Sequence, residues 1–147
     1  MQAHHYPIIY EIEETHWWYV GRRRLLESFV AAICKTLKKS ELRILDVGCG
    51  TGANLKMLAG YGRSEGVELS KQALDFCRQR GLDGVRRGAA ESLPYDDNSF
   101  DLVTSLDVLE HLDDDRAALE EIRRVLRPAG SALLFVPAFM FLWGVQD

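Results

Sequence analysis

The chain has 147 residues, of which 47% are hydrophobic and 27% charged, and a net charge of −4. That length suits one domain with its own core, and the composition is that of an ordinary soluble globular protein. The charge gives no overall attraction to nucleic acid or to an anionic membrane, and no apolar run reaches the length of a membrane span.

The opening stretch MQAHHYPIIYEIEE lacks a basic region followed by an apolar core, so no secretory signal is expected. From Trp17 onward, Leu26, Phe29, Val30, Ile33 and Leu37 recur at helical spacing. They predict one face of an amphipathic helix from about residue 17 to 38, packed on the core as an N-terminal addition. LRILDV (42–47) reads as a buried strand closed by Gly48, and ANLKMLAGYG as a short helix ended by glycines. SEGVEL (64–69) is a second strand. Ser70 can cap the next helix, which turns Ala73, Leu74 and Cys77 inward and stops at Gly81. GVRRGA (84–89) is a weaker third strand, ESLPYDDNS a loop, and FDLVTSLDV (100–108) a fourth strand. Asp113, Asp114 and Asp115 suit a helix N-terminus, and the helix that follows buries Ala118, Ile122, Val125 and Leu126. RPAG (127–130) then turns into a fifth strand, SALLFVP.

Strand and helix in alternation predict an α/β fold: a doubly wound, mostly parallel, Rossmann-like sheet of about five strands. The expected organisation is a single domain over 1–147, with a helical segment at 1–40 ahead of the core at 41–147. Cys34, Cys49 and Cys77 are scattered and odd in number, which argues for reduced thiols in a cytoplasm and gives no metal-ligand spacing.

Three glycines, Gly48, Gly50 and Gly52, lie between the first strand and its helix. Ligands of doubly wound sheets sit at the carboxyl ends of the strands, where a glycine turn lets backbone touch a ligand and aims helix N–H groups at it. Without a ligand, the same glycines make a tight left-handed turn. The spacing G-x-G-x-G is not the G-x-G-x-x-G of dinucleotide binders, and Thr51-Gly52-Ala53 lacks the lysine of a phosphate-binding loop. Glu68 ends the second strand, 20 residues after Gly48. A carboxylate there can accept from two adjacent ribose hydroxyls, or can simply be an exposed strand-end acid. Nicotinamide and adenosyl cofactors share ribose, so Glu68 alone leaves both open.

LDVGCGTG, GVELS, AAESLPYDDNSFDLVTSLDVLEHL and EIRRVLRPAGSALLFVP, in this order and spacing, resemble the successive motifs of class I S-adenosylmethionine-dependent methyltransferases. The likeness is to the small-molecule branch, which includes quinone-biosynthesis C-methyltransferases. It runs from about Glu13 to the end, and ETHWWYVGRRRLL looks like an N-terminal helix of such proteins. It implies S-adenosylmethionine as cofactor, S-adenosylhomocysteine as product and an unidentified small molecule as substrate. The Gly48, Cys49, Gly50, Gly52 loop would wrap the methionine part, and Asp46 would orient the loop or, through water, the cofactor's amino group. Glu68 would hold the ribose and Leu69 would flank the adenine. Ala90 and Glu91 would meet the adenine edge, and Leu106 would line the site. One departure stands out: Ala89 occupies a position where relatives often carry an adenine-binding Asp. Adenine recognition would then rest on backbone near Ala90 or on Glu91.

A sulfonium methyl is electrophilic, so the protein's task is to align a nucleophile behind it and exclude water. Asp107 and His111, after strand four, are candidates for a base; a loop or capping role for Asp107 and a structural hydrogen bond for His111 are the alternatives. Trp17, Trp18 and Tyr19 form an aromatic lid or pack the helix start on the sheet. Arg22, Arg23 and Arg24 greet an acidic substrate or the cofactor carboxylate, or else form a solvated helix face. Cys49 reads as a small filler and not a nucleophile. Two other classes stay in view, a nicotinamide-binding domain and a cofactor-binding module or fragment without turnover. The family fold usually continues past strand five with a helix and an antiparallel strand pair. The core is therefore expected to be truncated there, with little methyl transfer of its own. A homodimer through the strand-five edge and the apolar tail 139–143 (Phe139, Met140, Phe141, Leu142, Trp143) follows from that expectation.

Overall fold

Strands β1 (Arg43–Val47), β2 (Arg63–Glu68), β3 (Val85–Arg87), β4 (Phe100–Leu106) and β5 (Leu126–Phe135) pair in parallel in the order β3-β2-β1-β4-β5. This is a computed structural model, and it describes residues 5–137. Among the described residues the helices are α1 (His5–Ile12), α2 (Trp17–Leu37), α3 (Ala53–Leu58), α4 (Lys71–Gln79) and α5 (Asp115–Val125), with a 3-10 turn at Leu109–His111. The predicted α/β sheet is the observed one, and all pairings among its five strands are parallel.

Alternation along the central strand explains the two-sided packing. Ile44 faces one layer with Val30 of α2, Leu58 of α3 and Leu102 of β4, while Leu45 and Val47 face the other with Ala118, Ile122 and Val125 of α5. A third cluster, with Leu55, Leu74, Cys77 and Val85, seats α3 and α4 against the β2–β3 side. The apolar strands leave their polar ends at one edge of the sheet, where loops 48–52, 69–70, 88–91 and 107–111 converge. Two helix starts form as expected: Ser70 Oγ accepts from the Ala73 N–H at 3.3 Å, and Asp114 Oδ1 accepts from Ala117 N–H at 2.9 Å.

The elements differ from expectation in several places. Helix α1 has no counterpart in the predicted elements. Its Pro7 falls in the first turn, where a missing N–H costs little, but HYPIIYEI is too short to show a period. On α2, Leu26 and Val30 are buried, whereas Phe29 is 47% exposed, because it lies on the flank of the buried stripe. Strand β4 ends at Leu106, and Asp107 turns the chain with a left-handed φ of 57°. Strand β5 begins at Leu126, before the expected turn. Phe100 pairs with Leu126 and Leu102 with Ser131, so Arg127–Gly130 bulge out between them, with Ala129 at φ 66°. The residues Phe139, Met140, Phe141, Leu142 and Trp143 of the expected dimer contact lie outside the described residues.

Candidate functional site

The three loop glycines serve different ends. All take left-handed φ, 72° at Gly48, 53° at Gly50 and 91° at Gly52. A Cβ at Gly48 would collide with Val108 Cγ2, and one at Gly52 would meet Leu82 Cδ1 at 2.6 Å. Those two are glycine so that the neighbouring loop and helix can close in. A Cβ at Gly50 would meet nothing within 4 Å. Gly50 therefore opens to free space, which is the place for a ligand to approach backbone. The loop is fastened to β2, since Gly48 N–H and Cys49 N–H both donate to Val67 O, at 2.8 and 3.1 Å.

Two carboxylates flank this loop. Glu68 Oε2 accepts from Gly50 N–H at 3.1 Å and Oε1 from Ser70 N–H at 2.9 Å. The side chain thus ties the first two strand-end loops together, and each oxygen retains a lone pair for a further donor. Asp46, next to last on β1, is buried and accepts from Thr104 Oγ1 at 2.6 Å. Burial raises its carboxyl to about 7; the Thr104 hydrogen bond opposes the rise and the charge of Glu68 adds to it. A buried acid with so costly a charge is a mark of a functional site.

Leu106 is buried at the end of β4 and Ala90 is buried beyond β3, with Glu91 partly exposed beside it. Leu69 is 61% exposed, just past the tip of β2. Ala89 O accepts from Ser92 N–H at 3.2 Å, which holds the Ala90–Glu91 turn in shape. Cys49 is buried against Leu55 and Cys77 in the third cluster. The hydrogen bond with the Cys77 thiol and burial push its own thiol well up, so Cys49 fills space and is no thiolate.

The arginines of α2 correct the expectation of a solvated face. Arg22 reaches the strand-four tip and pairs with the Asp107 carboxylate, with its guanidinium 5.1 Å from the Phe135 ring. Arg23 donates to Glu13 O at 2.7 Å, and only Arg24 is exposed. Asp107 is therefore already paired, and it adjoins the partly buried Glu110, whose carboxyl is raised by burial, with Asp107 adding. His111 ends the 3-10 turn, half-buried. Trp17 and Trp18 are both exposed and edge to face, with centroids 5.8 Å apart, so they do not pack the helix start onto the sheet.

Sequence reasoning missed the contacts of the N-terminus. Arg80, just past α4, donates to Thr51 O of the glycine loop at 2.9 Å and to Glu13 Oε1 and Glu14 Oε1 at 2.5 Å each. Thr51 Oγ1 donates to Glu13 as well. Tyr6 of α1 is buried, and burial together with the charge of Glu68 raises its hydroxyl. The one available signal was the acidic pair Glu13-Glu14, which periodicity cannot assign a partner.

The family model described as "Methyltransferase domain" matches residues 45–134, the span from β1 to β5. An uncharacterized methyltransferase of Bacillus subtilis, YcgJ, is 36% identical over 103 residues, covering 65% of this chain and 41% of its own length. Its crystal structure superposes with a TM-score of 0.60 over 71% of this chain and 48% of that one, at 35% identity. An uncharacterized methyltransferase of Schizosaccharomyces pombe, C1B3.06c, is 37% identical over 134 residues, 81% of this chain and 46% of its own. The structure of S-adenosylmethionine-bound CalS10, an amino pentose methyltransferase from Micromonospora echinaspora, gives a TM-score of 0.70 at 31% identity, over 85% of this chain and 57% of that one. The chain thus spans less than half the length of these two curated relatives.

Proposed function

The chain belongs to the methyltransferase-domain family, and on that premise we propose that it binds S-adenosylmethionine at the carboxyl edge of its sheet and passes the methyl to an unidentified small molecule by in-line displacement. The observation that carries this reading is the backbone of Gly50, open to free space, with Glu68 and Asp46 on the strand tips beside it.

The residues present fit such a cofactor. The open Gly50 backbone and the helix start behind it suit a methionine moiety, Glu68 retains acceptor capacity for ribose hydroxyls, and Leu69 and Ala90 offer an apolar edge for a purine with the Glu91 carboxylate as an acceptor beside it. When bound, the cofactor supplies an electrophilic methyl on sulfur. What the chain contributes is orientation and exclusion of water, through Leu106 and the loops that converge there. Asp107 and His111 stand after β4 as the candidates to take a proton from an acceptor. A sugar acceptor named for CalS10 supports a small molecule as substrate and does not choose among carbon, nitrogen and oxygen nucleophiles. A reduced, cytoplasmic setting belongs to the same proposal, on its three free cysteines.

Calorimetric titration tests the reading: S-adenosylmethionine or S-adenosylhomocysteine should bind, and NAD should not. Tighter binding of NAD overturns it. A second reading, a cofactor-binding piece without turnover, is favoured by one observation, the coverage of less than half of the relatives' length. Cofactor binding with no methyl transfer to any small-molecule acceptor would select it.

A further inference from the structure

The carboxyl edge of the sheet is roofed by α1, and the contacts that hold it there lie outside the core. An eight-residue helix has little stability of its own. This one is clamped by Arg80, whose side chain is 7% exposed. The guanidinium carries the hydrogen bonds to Thr51, Glu13 and Glu14 given above, and lies 4.4 Å from the centroid of the Tyr10 ring. Tyr10 in turn stacks on Phe76 of α4, with centroids 4.5 Å apart. One turn earlier on the same helix, Tyr6 is 8% exposed, on the side of α1 toward the start of α4, where the charge of Glu68 acts on its hydroxyl. The backbone N–H of Ser70 donates to Glu68. Tyr6 and Glu68 therefore lie near enough for the carboxylate's charge to act on the phenol, from two elements far apart in sequence.

The chemistry of that spot is complementary. A carboxylate can only accept, whereas each ribose hydroxyl both donates and accepts, so Glu68 alone satisfies half of a diol. A phenol supplies the missing donor, and burial together with the charge of Glu68 pushes the Tyr6 hydroxyl up, keeping it protonated.

We propose that α1 is a working part of the cofactor site: Tyr6 reaches the ribose hydroxyls together with Glu68, and Tyr10, held between Phe76 and Arg80, is the positioning residue that keeps it there. The inference rests on the reading of Glu68 as the ribose acceptor. Tyr10 is the informative handle, since its ring packs against Phe76 of α4 and Arg80 just past its end.

The test is calorimetric titration of S-adenosylhomocysteine into the full chain and into Tyr6→Ala, Tyr6→Phe and Tyr10→Ala, with amide hydrogen exchange of α1 followed in parallel. Tyr6→Ala and Tyr10→Ala should each weaken binding about tenfold, and Tyr6→Phe, which keeps the ring, about threefold to tenfold, the effect of one lost hydrogen bond. The amides of residues 5–12 should exchange more slowly with the ligand bound, which a merely structural helix would not do. Tyr6→Phe carries the test should Tyr6→Ala not fold. Variants that bind as the parent does, or more tightly as they would if Tyr6 were a plug, overturn the proposal while leaving the site intact. A parent chain that does not bind the ligand overturns both.

Discussion

Among single residues, Asp46 has the sharpest consequence. Its carboxyl stands at about 7 in the folded chain against an ordinary 3.8, for want of solvent. Below about pH 4 it is protonated in both states and costs nothing. As pH rises from about 4 to about 7 the unfolded chain ionises there and the folded one does not, so stability falls, by up to about 4 kcal/mol. Asp46→Asn should accept from Thr104 and escape that fall. Urea unfolding should find the variant equal to the parent near pH 4 and about 2–4 kcal/mol more stable near pH 8, while its cofactor affinity drops. A constant difference across that range would show that Asp46 is not the titrating group. Glu68 acts in the opposite sense, through binding. Glu68→Ala removes an acceptor of charge-assisted hydrogen bonds and should weaken S-adenosylhomocysteine binding about tenfold to a hundredfold, about 1.5–3 kcal/mol. Gly50→Val should do worse, by filling the open space above the loop and straining a left-handed backbone. Titration calorimetry on folded variants reads both, and an unchanged affinity for Glu68→Ala removes Glu68 from the site.

Between elements, the strands and helices that carry a period were legible and the ties among them were not. The β1 run, its glycine turn and the Ser70 cap follow from local spacing, because apolar alternation and capping act within a few residues. Arg80 and Glu13 are 67 residues apart, and no pattern in either segment names the other. The same holds for Arg22 and Asp107, and it is why three adjacent arginines read as a solvated face when two of them are engaged. The loop 93–97 shows the point again. Arg124 of α5 donates to Leu93 O at 3.1 Å, Tyr95 O at 2.8 Å and the carboxylates of Asp97 and Glu121, both at 2.8 Å. Glu121 also accepts from Leu93 N–H at 2.7 Å. One arginine thus fixes the loop that leads from the Ala90–Glu91 turn to β4. Arg124→Ala should cost about 2–3 kcal/mol, since several charge-assisted bonds go together. Thermal unfolding measures the cost, and a loss below about 0.5 kcal/mol would mark the cluster as a surface ornament.

For the whole molecule, the sheet has one short edge and one long one. β3 is three residues long at one edge, whereas β5 presents ten residues at the other, and no described strand pairs with its outer side. Leu134 and Val136 are exposed there. Long open edges invite pairing with another chain, and we propose self-association along β5. Sedimentation at micromolar concentration should show a dimer, and a Leu134→Lys variant should be monomeric. A clean monomer of the parent at those concentrations excludes it.

The central position of β1 also sets a timetable. It pairs on one side with β2, Ile44 against Ser64, and on the other with β4, Ile44 against Leu102. During synthesis the first partner emerges soon after β1, but the second is complete only about sixty residues beyond the end of β1. Until then Ile44 and Leu45, fully buried in the finished chain, have one neighbour strand where they need two. Closing so long a loop carries an entropic cost that grows slowly with length but must be met before the contacts repay it. The ribosome-bound chain therefore passes through a stage with its central strand half paired, and it is at that stage, rather than in the finished fold, that this domain is most open to misassembly.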